Sequence, residues 1–370
     1  MITEISLANF KCFKHLDSLH LSRVTLLAGI NGRGKSTVLQ SLLLLAQSMD
    51  REKRLNHIEF DGEYVRLGTF DDVLTRGAKS GCSIGFKTDD VDENELKLTF
   101  SSFGEKAQWG RITSFELTNH NLVEEKATSE SSDEVKYSSL GVTSTVKGLS
   151  QLYSVFYVAA DRLGPLDYGK VDDNRAENHI GIHGEFLINS LFAQSDEFRQ
   201  EVSTCVSEIL GGASLRVEKI DPYFLRMYMD SADCSSGFRP SNIGFGYSYI
   251  LPVVASVLLA EPNAKIFIEN PEAHLHPGAQ SRLGEFLIRK AREKNLQLFV
   301  ETHSEHIINA LRIAVCSGTL PKDEASIIFF SRDWTGEPEV TQIKIDRHGN
   351  LSGYPDGFLD EWGQQMSKLV

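Results

Sequence analysis

The stretch AGINGRGKST, residues 28–37, restricts the fold of this chain more than any other. It matches G-x-x-x-x-G-K-[ST] at Gly29, Gly34, Lys35 and Ser36. The apolar run VTLLAG leads into it and the apolar helical stretch VLQSLLLLAQSM follows it. Glycines there let the backbone N–H groups of Asn31, Gly32, Arg33, Gly34 and Lys35 turn inward around a β-phosphate. The start of the following helix adds its positive end. Lys35 brings a cation to the β/γ oxygens, and Ser36, with Thr37 beside it, brings a hydroxyl to Mg²⁺. A glycine-rich turn opening an ordinary helix is the bland alternative, and the strand–loop–helix context weighs against it. A nucleotide site with magnesium is the expectation.

A second stretch, KIFIENPEAHLHP (265–277), carries Glu269 at the end of an apolar run, where a carboxylate holds the Mg²⁺ shell through water. Asn270 then stands where a hydrolytic site places its base, and an amide can orient a water but not take its proton. Glu272 is placed to substitute for it if the turn through Pro271 aims it inward; a structural salt bridge is the equal alternative. His274 and His276 lack the Cys or carboxylate companions of a zinc centre and read as structural or interface residues. In VETHSEH, His303 at a strand tip is a candidate γ-phosphate donor, flanked by Thr302 and Ser304. GFGYS (244–248) opens an apolar helix, and Gly244, Gly246 and the Ser248 hydroxyl form a candidate anion loop.

Between these motifs, strand and helix patterns alternate: FGYSYILPVVASVLLA (helix), KIFIE (strand), GAQSRLGEFLIRKAREKN (helix), LQLFVE (strand), EHIINALRIAVC (helix). That predicts an α/β fold with a mostly parallel sheet. Residues 55–160 differ. HIEFDGEYVRLGTF, CSIGFKTD, LKLTFSSF and GRITSFELT alternate apolar and polar residues between turn signals, predicting an antiparallel β insert. Within it, residues 121–139 are charged and serine-rich, and read as a mobile loop or hairpin tip. Residues 161–240 read as a helical lobe with strands, 241–345 as the segment carrying the later motifs, and 346–370 as a C-terminal tail. No internal repeat or long heptad run occurs.

The chain has 370 residues, 41% of them hydrophobic, and a net charge of −13. That charge opposes non-specific DNA binding by the whole chain while allowing a local basic groove. No apolar run approaches the ~18 residues of a membrane span. The N-terminus lacks signal-peptide character, and five scattered cysteines without CxxC spacing fit reduced thiols in the cytoplasm.

In order, NFKCF, GINGRGKST, GFGYS, IFIENPEAHLHP and VETHS resemble the ABC-type ATPase heads of the RecF, SMC and OLD families. DGEYVRLGTFDDVL, AADRLGPLDY and the ending IDRHGNLSGYPDGFLDEWGQQMSKL look like a subgroup of small bacterial AAA-type ATPases with a short C-terminal domain of unknown function. The resemblance implies one discontinuous P-loop head and a homodimer closed as an ATP sandwich. In that arrangement residues 31–37 bind ATP in cis while Gly244, Gly246 and Ser248 cap the γ-phosphate in trans. It places AHLHP at the dimer interface and His303 at a switch position. It also brings Asn9 to Lys11 near the nucleotide and has Asp161 and Arg162 couple the site to the helical lobe. GFGYS departs from Leu-Ser-Gly-Gly-Gln, and Asn270 departs from the usual acid pair. The metal-dependent nuclease domain of OLD proteins has no room in the sixty-odd residues after Ser304. The expectation is therefore a slow ATPase acting as sensor or motor for a separate effector, such as a nuclease, in anti-phage defence or DNA maintenance. Nucleic acid stays open as a partner of the assembled complex. The alternative is a nucleotide-locked scaffold with negligible hydrolysis.

Overall fold

The computed structural model describes residues 1–370 except 50, 52, 80, 90–94, 103, 105–107, 120–121, 129–146, 172–178, 232–233, 335, 361–364 and 370. The chain divides into two compact units. The first comprises Met1–Ser22, Gly29–Val155 and Ile328–Gln342; the second comprises Arg23–Ala28, Phe156–Ile327 and Ile343–Val370. The strands Val24–Gly29 and Ala325–Arg332 each pass from one unit into the other.

In the first unit the strand Ile2–Phe10 sits between Phe13–His20 and Cys82–Thr88, and the sheet continues through Glu95–Ser102 to Trp109–Asn119 and Ile58–Glu59. All of these pairings are antiparallel, so the predicted β insert shares one sheet with the N-terminal strands. Of the charged stretch 121–139, Leu122–Thr128 forms a strand on Trp109–Asn119; the rest lies outside the described residues. The expected strands over 57–70 shrink to Ile58–Glu59, followed by a short helix at Phe70–Val73. The reason is local: Thr69 and Asp72 form a capping box, which fixes a helical turn. Gln47 ties the intervening loop down, accepting from the N–H groups of Tyr64 and Val65 and donating to the Glu59 and Val65 carbonyls. The helix Lys35–Gln47 buries residues 37–39 and 41–46, the apolar run read from the sequence.

In the second unit the strands Val24–Gly29, Gln297–Glu301 and Lys265–Glu269 run parallel, with Val155–Val158 at the edge. Their registers pair Glu269 with Glu301 and Glu301 with Leu27, so the motif residues gather at one end of the sheet. Each strand is buried on both faces, as its unbroken apolar run requires. Phe267 and Phe299 stack at 4.8 Å between centroids. The helices Phe245–Leu259, Pro277–Glu293 and Glu305–Cys316 follow the predicted alternation. Helix Asp196–Leu210 stops at Gly211, whose φ of 80° only glycine adopts freely. A smaller antiparallel sheet holds Tyr168–Lys170, Phe224–Ser231, Ala213–Lys219 and Cys234–Phe238.

Candidate nucleotide site

The loop at residues 29–34 has the backbone that a phosphate cradle needs. Gly29, Gly32 and Gly34 take φ of 130°, 71° and 106°. A Cβ on Gly29 would lie 2.2 Å from the Phe330 carbonyl oxygen, and one on Gly34 would lie 2.5 Å from the Phe13 ring. Only glycine fits at either position. Lys35 is buried, and its Nζ donates to the carbonyls of Gly29 at 3.0 Å and Ile30 at 3.1 Å. The helix Lys35–Gln47 has no side-chain cap at Gly34 and no acid in its own first turn. Asn31 and Gly32 are exposed, Arg33 and Ser36 are half-buried, and Thr37 is buried beside the Cys12 thiol. Asn9 and Lys11 take φ of 56° and 52°; Asn9 donates to the Gly81 carbonyl and Lys11 to Gln40. Of the NFKCF residues, Cys12 and Phe13 lie beside Gly34.

In the second unit, Glu269 ends its strand with a carboxylate that accepts from the Tyr157 hydroxyl at 3.0 Å. Burial pushes its pKa up, while the bonds from Tyr157 and the Ala160 backbone pull it back. Burial also pushes the Tyr157 phenol far up, with the neighbouring Glu269 charge adding to it, so Tyr157 stays a neutral donor. Asn270 follows at φ 44°, a left-handed conformation that Asn tolerates better than most residues. Its N–H donates to the Glu301 carbonyl, and its side-chain Oδ1 is buried without a partner.

Among the described residues Glu272 forms no ion pair. Its Oε1 accepts from the His303 backbone N–H at 2.6 Å, and its Oε2 is buried without a partner. Burial is the largest influence on its pKa and raises it; bonds from His303, its own backbone and Thr302, and then the Arg162 charge, oppose that rise. The turn through Pro271 thus aims this acid inward. His303 itself is exposed at the strand tip, between buried Thr302 and Ser304. Thr302 Oγ1 accepts from the Ser304 N–H, and Ser304 caps helix Glu305–Cys316. His276 caps Pro277–Glu293 by accepting from the Gly278 N–H, a structural contact, where the sequence left a structural or an interface role open. His274 takes φ 62° and packs its ring on Tyr249 at 4.5 Å.

The GFGYS loop departs from expectation. Gly244 caps helix Phe245–Leu259 and is open to solvent, whereas a Cβ on Gly246 would lie 2.9 Å from the His274 carbonyl oxygen. Ser248 is buried and its hydroxyl is unpartnered, because position 248 falls on the packed side of the helix. The exposed residue of the loop is Phe245, 56% accessible, whose ring lies 5.8 Å from His274.

Arg162 was read only through the resemblance, and it organises this region. It is 3% exposed; Nη1 donates to the Ala159 and Glu269 carbonyls at 3.0 and 2.8 Å, and Nη2 to the Asn270 carbonyl at 2.6 Å. Its guanidinium lies 5.5 Å from the Tyr249 ring centre. Burial pulls its pKa down to about 10, which leaves it charged at neutral pH. Asp161 is exposed and faces His183.

Ser36 in the first unit carries a hydroxyl and Glu269 in the second a carboxylate, each a hard oxygen donor of the kind Mg²⁺ takes. Among the described residues no group of three or more His, Cys, Asp or Glu side chains could hold a metal unaided, and a phosphate-borne magnesium needs none.

The family described as "AAA domain, putative AbiEii toxin, Type IV TA system" matches residues 24–309, and a "Protein of unknown function" family matches 320–369. No curated protein shows detectable similarity to the chain. Two solved structures share the fold at 14% identity and TM-score 0.55. One is an Smc head bound to the C-winged helix domain of ScpA, matched over 94% of this chain and 98% of its own. The other is an Smc head with an extended coiled coil bound to the C-terminal domain of ScpA derived from Pyrococcus furiosus, matched over 100% and 99%. No helix among the described residues is long and apolar enough to cross a membrane. With its glycine cradle, acid-tipped parallel strand and SMC-head fold, the chain belongs to that AAA-domain family and is an AAA-type P-loop ATPase.

Proposed function

We propose that the chain binds ATP through residues 31–37, hydrolyses it slowly with Glu272 as the proton acceptor, and works as a nucleotide-joined homodimer. The observation that carries hydrolysis is the Glu272 carboxylate. One of its oxygens is fixed by the His303 N–H and the other is buried without a partner, as a base awaiting a water proton would be. Ser36 and Glu269 would hold magnesium, which would neutralise phosphate charge. Lys35 binds the phosphate oxygens, His303 is a further donor at its strand tip, and Asn270 orients rather than deprotonates. Gly244 and Phe245 present the exposed end of their helix to a second copy. By family likeness, the dimer serves as sensor or motor for a separate effector in defence or DNA maintenance, a fold-level analogy.

The scaffold reading keeps one supporting observation, the amide at position 270. Turnover by the purified protein with Mg·ATP separates the two. Hydrolysis that disappears in Lys35→Ala and falls steeply in Glu272→Gln supports the ATPase. ATP-driven dimerisation with no measurable turnover supports the scaffold.

A further inference from the structure

Glu272 hangs from a turn rather than a strand, and a turn holds a side chain less firmly than a strand or helix does. Within residues 270–275 the Ala273 N–H donates to the Asn270 carbonyl and the Leu275 N–H to the Glu272 carbonyl. At its near end the turn is tied to the neighbouring strand by the Asn270 N–H, which donates to the Glu301 carbonyl at 2.8 Å. Its far end, at Leu275, is tied by a different residue. Gln280, in the first turn of helix Pro277–Glu293, donates from Nε2 to the Leu275 carbonyl at 2.9 Å. Its Oε1 accepts from the Ser304 hydroxyl at 2.6 Å.

The bond directions leave one arrangement. A carbonyl only accepts, so the Gln280 amide nitrogen faces Leu275 and its oxygen faces Ser304. The Ser304 oxygen caps helix Glu305–Cys316, accepting from the His306 and Ile307 N–H groups at 3.1 and 3.2 Å. Its single proton therefore goes to Gln280. Ser304 is 5% exposed, and its own N–H donates to Thr302 Oγ1.

These contacts close a ring. It runs from Glu272 along the backbone to Leu275, across Gln280 to Ser304, back one residue to His303, and through the His303 N–H to the Glu272 carboxylate at 2.6 Å. A glutamine that only satisfied a turn carbonyl would use its nitrogen alone. Gln280 uses both ends, and the second reaches the residue next to His303.

We propose that Gln280 is a positioning residue for Glu272. By tying Leu275 to Ser304 it keeps one carboxylate oxygen on the His303 N–H and leaves the other buried and open to a water proton. This rests on the reading of Glu272 as the proton acceptor.

Steady-state turnover with Mg·ATP, ATP binding by isothermal titration and thermal melts test it in four variants of the full chain. These are Gln280→Met, Gln280→Glu, Glu272→Gln, and Gln280→Met combined with Glu272→Gln. Methionine keeps the length of the side chain and loses both bonds. Gln280→Met should lower kcat about 100-fold, the cost of misplacing a reacting group by about 1 Å, with ATP affinity unchanged. Gln280→Glu keeps the acceptor for Ser304 and breaks only the Leu275 bond, so kcat should fall less; it carries the comparison if the methionine variant fails to fold. In the Glu272→Gln background Gln280→Met should add little, because the group it positions is gone. Turnover like that of the unaltered chain in both Gln280 variants overturns the proposal. So does an equal fall in kcat with and without Glu272→Gln, or a loss of ATP affinity in step with kcat. Full turnover in Glu272→Gln, or none in the unaltered chain, overturns the proton-acceptor reading and this inference with it. Loss in Glu272→Gln with full turnover in Gln280→Met overturns this inference alone.

Discussion

The Arg162 guanidinium donates to the Asn270 carbonyl oxygen at 2.6 Å, joining residues 108 positions apart in the chain. With the bonds to Ala159 and Glu269, it clamps the peptide that turns away from the acid-tipped strand. Placing a charged guanidinium at 3% exposure costs desolvation energy, offset here by three carbonyls, the Tyr249 ring and the neighbouring carboxylates. A planar fork can meet several carbonyls at once; an ammonium is a point charge and cannot. Arg162 is therefore a positioning residue for Glu269, Asn270 and the acid that follows.

Arg162→Lys should keep the charge and lose the geometry. The expected outcome is a fall in kcat of about 100-fold, the cost of misplacing a reacting group by about 1 Å, with ATP affinity nearly unchanged. Steady-state turnover alongside equilibrium ATP binding checks the split. A variant whose turnover and affinity both match the unaltered chain removes Arg162 from this role.

Glu272→Gln should lower kcat by about 10²–10⁴-fold, the usual cost of losing a general base, and should raise the Tm. Burial raises the folded pKa of Glu272 above 4.5, so the native state holds its proton more tightly than the unfolded chain does. Its contribution to stability is then greatest below pH 4.5 and is lost as pH rises through the folded value. Glutamine carries no charge and escapes that loss at neutral pH. The same raised pKa sets the acid limb of kcat against pH: turnover falls as pH drops toward the folded value, which burial lifts above that of an unperturbed glutamate. Thermal melts of both proteins at pH 5 and 8, with a kcat–pH profile, test both signs.

Asn270→Gly should preserve the fold, because glycine adopts φ 44° without strain. Asn270→Val should destabilise by about 1–2 kcal/mol or more, the cost of a left-handed residue with a Cβ that cannot relax. Equal melting temperatures for the two would mean that the backbone places no demand on this position.

What could be read from the sequence was what repeats locally. The glycine loop, the apolar strand ending in Glu269 and the His303 tip each declare themselves within about ten residues, because strand, turn and helix signals are short-ranged. The role of Asn270 was half legible: its chemistry could be read, but its left-handed backbone could not. Tyr157 and Tyr249 gave no signal, since each acts on a motif residue only after the parallel sheet and its helices are assembled. The burial of the Ser248 hydroxyl was not legible, because spacing alone does not say which side of a nearly all-apolar helix faces the core. The Thr69–Asp72 capping box was present in the letters and was outweighed by the strand pattern around it.

Gly29 and Gly32 separate the two demands made on the phosphate loop. Gly32→Ala meets only the backbone cost of φ 71°, since nothing lies within 4 Å of the added Cβ, so a loss of about 1–2 kcal/mol in loop stability is expected. Gly29→Ala adds a collision at 2.2 Å with the Phe330 carbonyl, a backbone atom that cannot swing aside. That substitution must move the loop or the strand Ala325–Arg332, and Lys35 loses the Gly29 carbonyl that now holds its Nζ. ATP binding should therefore weaken modestly in Gly32→Ala and be lost in Gly29→Ala, read by isothermal titration with Mg·ATP. Full affinity in Gly29→Ala would show that the cradle tolerates a side chain where the backbone leaves no room for one.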